Sequence, residues 1–271
     1  MTFAKKLGKE FVVTGEIEPE AAVSDAFLKK ARFLKPHVDA INVIDSPLGK
    51  PQVSSITASA LLKRAGIEPI AQLCARDRNR TAIINDLLGA KLLGVDNVLA
   101  ITGDYPKESK PVYEYDSVSL LRLVKDEMPK TYNGFKMTVG AAYNPMAEPA
   151  GPEQIKLEKK LKYADFIQTQ MVFDFDQLDN PIAKKNKKKI LVGVLPLLPG
   201  MASYFNKSMP GVVVPDKVAR SVNSVDDGIR VANEIARRAV SEGFGGIHLM
   251  VFKVEDRIDE ILKGVSIPFS D

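Results

Sequence analysis

A chain of 271 residues, 45% hydrophobic and 27% charged, is long enough to bury a large core and is composed like an ordinary globular protein. Its formal net charge of +4 is slight and spread along the chain, which argues against a nucleic-acid surface; the dense run KKNKKK at 184–189 reads as a solvated loop. The lone cysteine, Cys74, excludes an internal disulfide framework, no apolar run has the length of a membrane span, and MTFAKKLGKE lacks a signal-peptide core, so a cytoplasmic protein is expected.

The first expected strand is FVVTGEI from Phe11, running into Glu16, Glu18 and Glu20 around Pro19. A helix follows over SDAFLKKARFL, with Ser24 as its N-cap. VDAINVID from Val38 and EPIAQLCA from Glu68 are the next strands. The helix NRTAIINDLLGAKLLG then starts near Asn79 and is closed by Gly94. NVLAITG from Asn97 leads to a helix opening at Asp116, DSVSLLRLVKDEM. KMTVGAAYN from Lys136, FIQTQMVF from Phe166, ILVGVLPLL from Ile190 and GIHLMVF from Gly246 follow, the last trailed by VEDRIDEILKGV. Strand–helix units in unbroken succession predict one (β/α)8 TIM barrel, a single domain over residues 1–271. An open doubly wound sheet is the runner-up, but GFGG at 243–246 precedes a strand instead of following one, against the dinucleotide fingerprint.

Barrels of this kind carry their active sites at the C-terminal strand ends. The polar residues there are Glu16 and Glu18, Asn42 and Asp45, Gln72, Arg76 and Asp77, Thr102 and Asp104, Tyr143 and Asn144, Gln168 and Gln170, and His248 with Lys253 beyond it. Strands buried on both faces normally read as apolar runs, so the alternating Gln168 and Gln170 point to a polar ligand in the mouth or, for the deeper Gln168, to a satisfied polar layer. HExxH, CxxC and GxSxG motifs and a P-loop are absent from the sequence, and His37 and His248 lie far apart. No metal is expected, and Cys74 reads as a core residue. A mouth rich in carboxylates and amides suits a bound organic cofactor.

The stretches AQLCARDRNRTAIINDLLGAKLLGVDNVLAITGD at 71–104, ADFIQTQMVFD at 164–174, VGAAYNP at 139–145 and GVLPLLP at 193–199, with GEIEPE before them, resemble the methylenetetrahydrofolate reductases, flavin-dependent (β/α)8 barrels. The resemblance covers nearly the whole chain. It implies that Glu16 is the general acid that assists opening of the methylene bridge, and that Gly103 and Asp104 are the GD after the fourth strand, with Asp104 beside flavin and pterin. Gln170 would contact the folate, with Gln168 and Lys253 as further substrate contacts. Flavin contacts would come from Gln72, Arg76, Asp77, Thr102, Gly103 and Asp104, from Ala141, Tyr143 and Asn144 in the fifth-strand segment, and from Lys160 on the next helix. Glu18, two positions beyond Glu16, would add a second carboxylate on the same side if the strand continues.

The chain departs from well-known members on the flavin side. Gln72 stands where they have histidine, Ile44 near their threonine, Thr102 where they have arginine, and Lys253 near their arginine; KYAD shortens the approach to the sixth strand. The cofactors implied are FAD, with FMN possible, and NADH or NADPH as co-substrate. The partners expected are a folate-type small molecule, no nucleic acid and no membrane, with a homo-oligomer or an electron-delivering subunit left open. Flavin-free group transfer on a pterin, or service as a partner-dependent subunit, are the alternative readings.

Overall fold

A computed structural model describes residues 1–19, 25–106, 109–209 and 211–265. Eight parallel strands close into a barrel in chain order: β1 Val12–Ile17, β2 Ala40–Val43, β3 Pro69–Cys74, β4 Asn97–Ile101, β5 Thr138–Tyr143, β6 Phe166–Val172, β7 Ile190–Val194 and β8 Gly246–Leu249. This is the (β/α)8 TIM barrel that the strand pattern predicts. The ring closes through β1 and β8, with Val12 opposite Gly246 and Thr14 opposite His248.

Helices Asp25–Leu34, Ser55–Arg64, Arg80–Leu92, Ser117–Arg122, Ala150–Leu161 and Val225–Ser241 cover the outside, and several start or stop at local signals. Asn79 caps its helix by accepting from the Ala82 N–H, and Gly94 supplies the left-handed residue after the end. Asp116 and Ser119 form a reciprocal capping box, as do Ser224 and Asp227. The helix from Ser117 widens into a π-turn over Leu123–Glu127 just before Pro129, which has no N–H to continue the α ladder. The expected N-cap Ser24, and Glu20, lie outside the described residues. KKNKKK forms a helix end and a 3₁₀ turn, with Lys184 paired to Asp179 and Lys187 to Glu242. Between β7 and the long helix from Val225 lie two further helices, Met201–Ser208 and Asp216–Ser221.

Apolar layers pack against both faces of the strand ring. One packs the outward strand faces against the helices, through residues such as Ile41, Leu73, Val98, Ala141 and Ile167. The other fills the lower barrel with Phe3, Val12, Ala40, Ile70, Leu99, Phe166 and Leu191. Phe3 meets Phe166 edge-to-face at 5.2 Å. Gly140 lies against this ring so closely that a Cβ there would stand 2.3 Å from it. With the lower end filled, the open space lies at the C-terminal strand ends. Among the described residues no helix is long and apolar enough to cross a membrane.

Candidate active site in the barrel mouth

A cavity of about 410 Å³ occupies the mouth. Of the residues singled out in the sequence, Glu16, Gln72, Arg76, Gly103, Asp104, Tyr143, Asn144, Lys160, Gln168 and Gln170 line it together. They come from five strand ends and one helix, so only closure of the barrel brings them into one space.

Glu16 is the last inward-facing residue of β1, and its side chain is 21% exposed. Its Oε2 accepts from Gln72 Nε2 at 3.2 Å and lies 3.3 Å from His248 Nε2. Below it, Thr14, Asn42, Gln168 and His248 form a buried polar layer. Gln168 therefore belongs to the satisfied layer and to the cavity floor at once. Gln170 sits at a bulge where the β6–β7 register shifts between Gln168 and Met171. Its Oε1 accepts from the Met171 N–H at 3.0 Å, which leaves the amide NH₂ for a ligand.

The opposite wall is built from paired charges. Arg76, 1% exposed, donates Nε and Nη2 to the Asp77 carboxylate at 2.9 and 2.6 Å. Nη2 and Nη1 also donate to the carbonyls of Ser46 at 3.0 Å and Asp104 at 3.1 Å, and the Asp77 hydrogen bonds push its pKa up. Lys160 donates to the Ala142 carbonyl at 2.7 Å and to Glu153 Oε1 at 3.2 Å. Burial lowers its pKa despite the Glu153 carboxylate beside it. The Tyr143 hydroxyl is pushed up to about 12 by burial, with Glu153 adding to the shift. Gly103, at φ +91°, is required where it stands: a Cβ would lie 2.2 Å from Cys74 Sγ and 3.0 Å from Arg76 Cβ. Cys74 is fully buried and its thiol is pushed up to about 11 by burial, as a core cysteine rather than a nucleophile.

Four expected site residues, and Glu18, do not line the cavity. Ala141 faces outward into the helix-packed core, because side chains alternate along β5 and it is Ala142 that faces in. Asp77 is spent on Arg76, while Thr102 Oγ1 accepts from the Ser117 N–H at 3.0 Å and ties the β4 end to the next helix. Lys253 lies beyond β8 at φ +62°, exposed, with Nζ 5.1 Å above the Phe252 ring. Glu18 lies past the end of β1 at Ile17 and is exposed, so the continued strand that would have aimed it inward does not exist.

Other cavity residues carry no role in the resemblance. In the sequence His248 is legible only as a polar residue in an apolar strand, with Gly246 and Met250 sharing its alternation. Glu153, seven residues before Lys160, carries a helical spacing of two turns that would have paired them. Met171, Met209 and Met250 give the cavity an apolar, deformable side that nothing in their local sequence marks. Asp45 holds the rim: it accepts from the Cys74 N–H at 2.9 Å and from Arg78 Nη1 at 2.6 Å.

Fold and mouth define a (β/α)8 barrel whose strand ends present the Glu16 carboxylate beside Gln72 and His248, several amides and a methionine side, a setting for a hydrogen-bonding organic ring. The family profile described as methylenetetrahydrofolate reductase matches residues 9–266, and the chain belongs to that family. A Caenorhabditis elegans protein named "Probable methylenetetrahydrofolate reductase (NADPH)" is 21% identical over 234 residues, 79% of this chain and 34% of that protein. The chain thus spans about a third of that relative's length. Among solved structures, a Clostridium thermocellum protein that binds two copies of 5-methyl-5,6,7,8-tetrahydrofolic acid shares the fold with a TM-score of 0.67, at 14% identity over 98% of this chain and 99% of that one. The Yersinia pestis DHPS, solved with a pterine-sulfa conjugate, has a TM-score of 0.52 at 12% identity, over 94% and 92% of the two chains.

Proposed function

We propose that this chain reduces 5,10-methylenetetrahydrofolate to 5-methyltetrahydrofolate, with a flavin, FAD or FMN, as the immediate hydride donor and NADH or NADPH as the source of electrons. The observation that carries the reading is Glu16: one carboxylate oxygen is held by Gln72 and His248, in a cavity that also presents the Gln170 amide. Family membership supports the reaction class. The folate held by the Clostridium thermocellum barrel supports the substrate class.

The chemistry asks for an acid and a binding wall. Breaking the bridge from the methylene carbon to one nitrogen leaves that nitrogen needing a proton, and Glu16 supplies it as general acid. The carbon, left as an iminium on the other nitrogen, is then open to hydride. Gln170 orients the pterin through its free NH₂, and the methionine side excludes water. The residues fit the ring end of a flavin: Gln72, Gly103, Asp104, Tyr143 and Asn144 lie along the cavity lining. When bound, the flavin would supply the hydride.

One observation favours a second reading, in which the barrel binds the pterin without flavin. The lining cations Arg76 and Lys160 are already paired with Asp77 and Glu153, which leaves neither charge free for a cofactor phosphate. The visible spectrum of the purified protein separates the two. Flavin absorbance that bleaches with anaerobic NADH or NADPH, and returns with methylenetetrahydrofolate, is the expected result. Bleaching only when an iron–sulfur or flavoprotein partner is added would assign electron delivery to that partner. A protein that takes up neither FAD nor FMN yet binds 5-methyltetrahydrofolate supports the second reading, and one that binds no folate overturns both.

A further inference from the structure

The polar layer beneath the cavity has a direction. Asn42 Nδ2 donates to Gln168 Oε1 at 2.7 Å, which makes that oxygen the acceptor and turns the Gln168 NH₂ toward the other partners. Gln168 Nε2 lies 3.4 Å from Asn42 Oδ1, 3.2 Å from Thr14 Oγ1 and 3.4 Å from His248 Nδ1. Thr14 Oγ1 accepts from this amide and has its own proton to give. The nearer acceptor is His248 Nδ1 at 3.0 Å; the Ile247 carbonyl stands at 3.4 Å. His248 Nδ1 thus faces two donors, and a neutral imidazole that accepts at Nδ1 carries its proton on Nε2. Nε2 points at Glu16 Oε2, which also receives the Gln72 amide. Two donors converge on Oε2, whereas Oε1 has no hydrogen-bond partner among the described residues.

We infer that Thr14 and Gln168 lock His248 in its Nε2–H tautomer, so that His248 and Gln72 together hold Glu16 Oε2 as an acceptor and leave the acid proton on Oε1, toward the ligand. The inference rests on the reading of Glu16 as the acid. Thr14 and His248 are positioning residues: Thr14 is fully buried and does not line the cavity. In the opposite tautomer an imidazole lone pair would face Oε2. Glu16 would then carry its proton on Oε2, directed at His248 and away from substrate.

The chain has two histidines, so the tautomer can be read directly. In full-length protein labelled with ¹⁵N-histidine, two-bond ¹⁵N–¹H correlations without folate should show His248 protonated on Nε2 and bare on Nδ1. A His37→Gln variant assigns the signals, since His37 lies outside the cavity beside Asp259. Protonation on Nδ1, alone or together with Nε2, overturns the inference. Thr14→Val should lower kcat for folate reduction by about 10- to 100-fold, within the usual contribution of a general acid, with KM for folate little changed. Thr14→Ser should recover most of that loss, because it keeps the hydroxyl. An unchanged kcat in Thr14→Val would also overturn the inference. Wild-type protein without folate reduction would defeat the functional reading instead, and the substrate-free tautomer measurement distinguishes that failure from failure of the lock.

Discussion

Glu16, Glu18 and Glu20 sit within five residues of one another, and a single register decides among them. Glu16 is on β1 and faces in, Glu18 is past the strand end, and Glu20 follows Pro19 outside the described residues. Glu16→Gln keeps the shape and the Gln72 contact but loses the proton, so folate binding should persist while kcat falls by about 10²- to 10⁴-fold. Equilibrium binding of 5-methyltetrahydrofolate beside single-turnover reduction separates the two effects. Gly103 tests packing instead of chemistry. Gly103→Ala places a methyl against Cys74 Sγ and Arg76 at a positive φ, and should cost about 2 kcal/mol or more in denaturant unfolding. An alanine variant as stable as the parent would mean that the β4 end can relax without cost.

At the scale of the element, strand ends and helix caps carry different consequences. The β6 bulge is held by Gly193, whose added Cβ would lie 2.6 Å from the Gln170 carbonyl, and by Thr169 Oγ1, which accepts from the Gly193 N–H at 2.8 Å. The bulge bends the Gln170 side chain back onto its own strand, a feature that a period-two reading of FIQTQMVF does not contain. The capping box of the Val225–Ser241 helix is pH-sensitive. Asp227 is lowered from 3.8 to about 2, first by the Ser224 hydroxyl, then by the Asn223 N–H and by Arg230. A folded-state pKa below the unfolded one contributes stability that is fully present above about pH 4 and is lost as pH falls toward about 2. Asp227→Asn removes that contribution, so its Tm should fall less steeply than the parent's across this window. Parallel slopes would leave the cap without a role in acid stability.

The whole molecule depends on a closure between residues more than two hundred positions apart. β1 pairs with β8, and the same junction sets His248 against Thr14 and Glu16. A chain ended before Gly246 leaves β1 and β7 with open edges and removes one contact of the acid. Such a truncation should lose its near-ultraviolet circular dichroism and cooperative melting; a truncated chain that still melts cooperatively would show that closure is dispensable.

The eight strands are legible in the sequence because strands buried on both faces are continuous apolar runs, and the jacket helices because caps such as Asn79 and Asp116 are local signals. The strand ends also disclose which polar residues reach the mouth, since alternation is a property of the strand alone; Glu16, Gln72 and Gln170 follow from it. Facing is lost where a strand stops or turns. Ala141 and Ala142 differ by one position in an apolar run, Glu18 needs a strand that ends at Ile17, and Lys253 itself takes a positive φ beyond β8. Only the tertiary structure decides what the polar groups do for one another. A hydrogen bond joins Asn42 to Gln168 across the barrel, and another joins Glu16 to His248 at the β1–β8 junction; such pairings exist only after the ring has closed. The sequence by itself determines a barrel with a polar mouth, because burial and periodicity are written locally. Which residue holds the acid, and which charges are already spent, depends on distances that no local pattern contains.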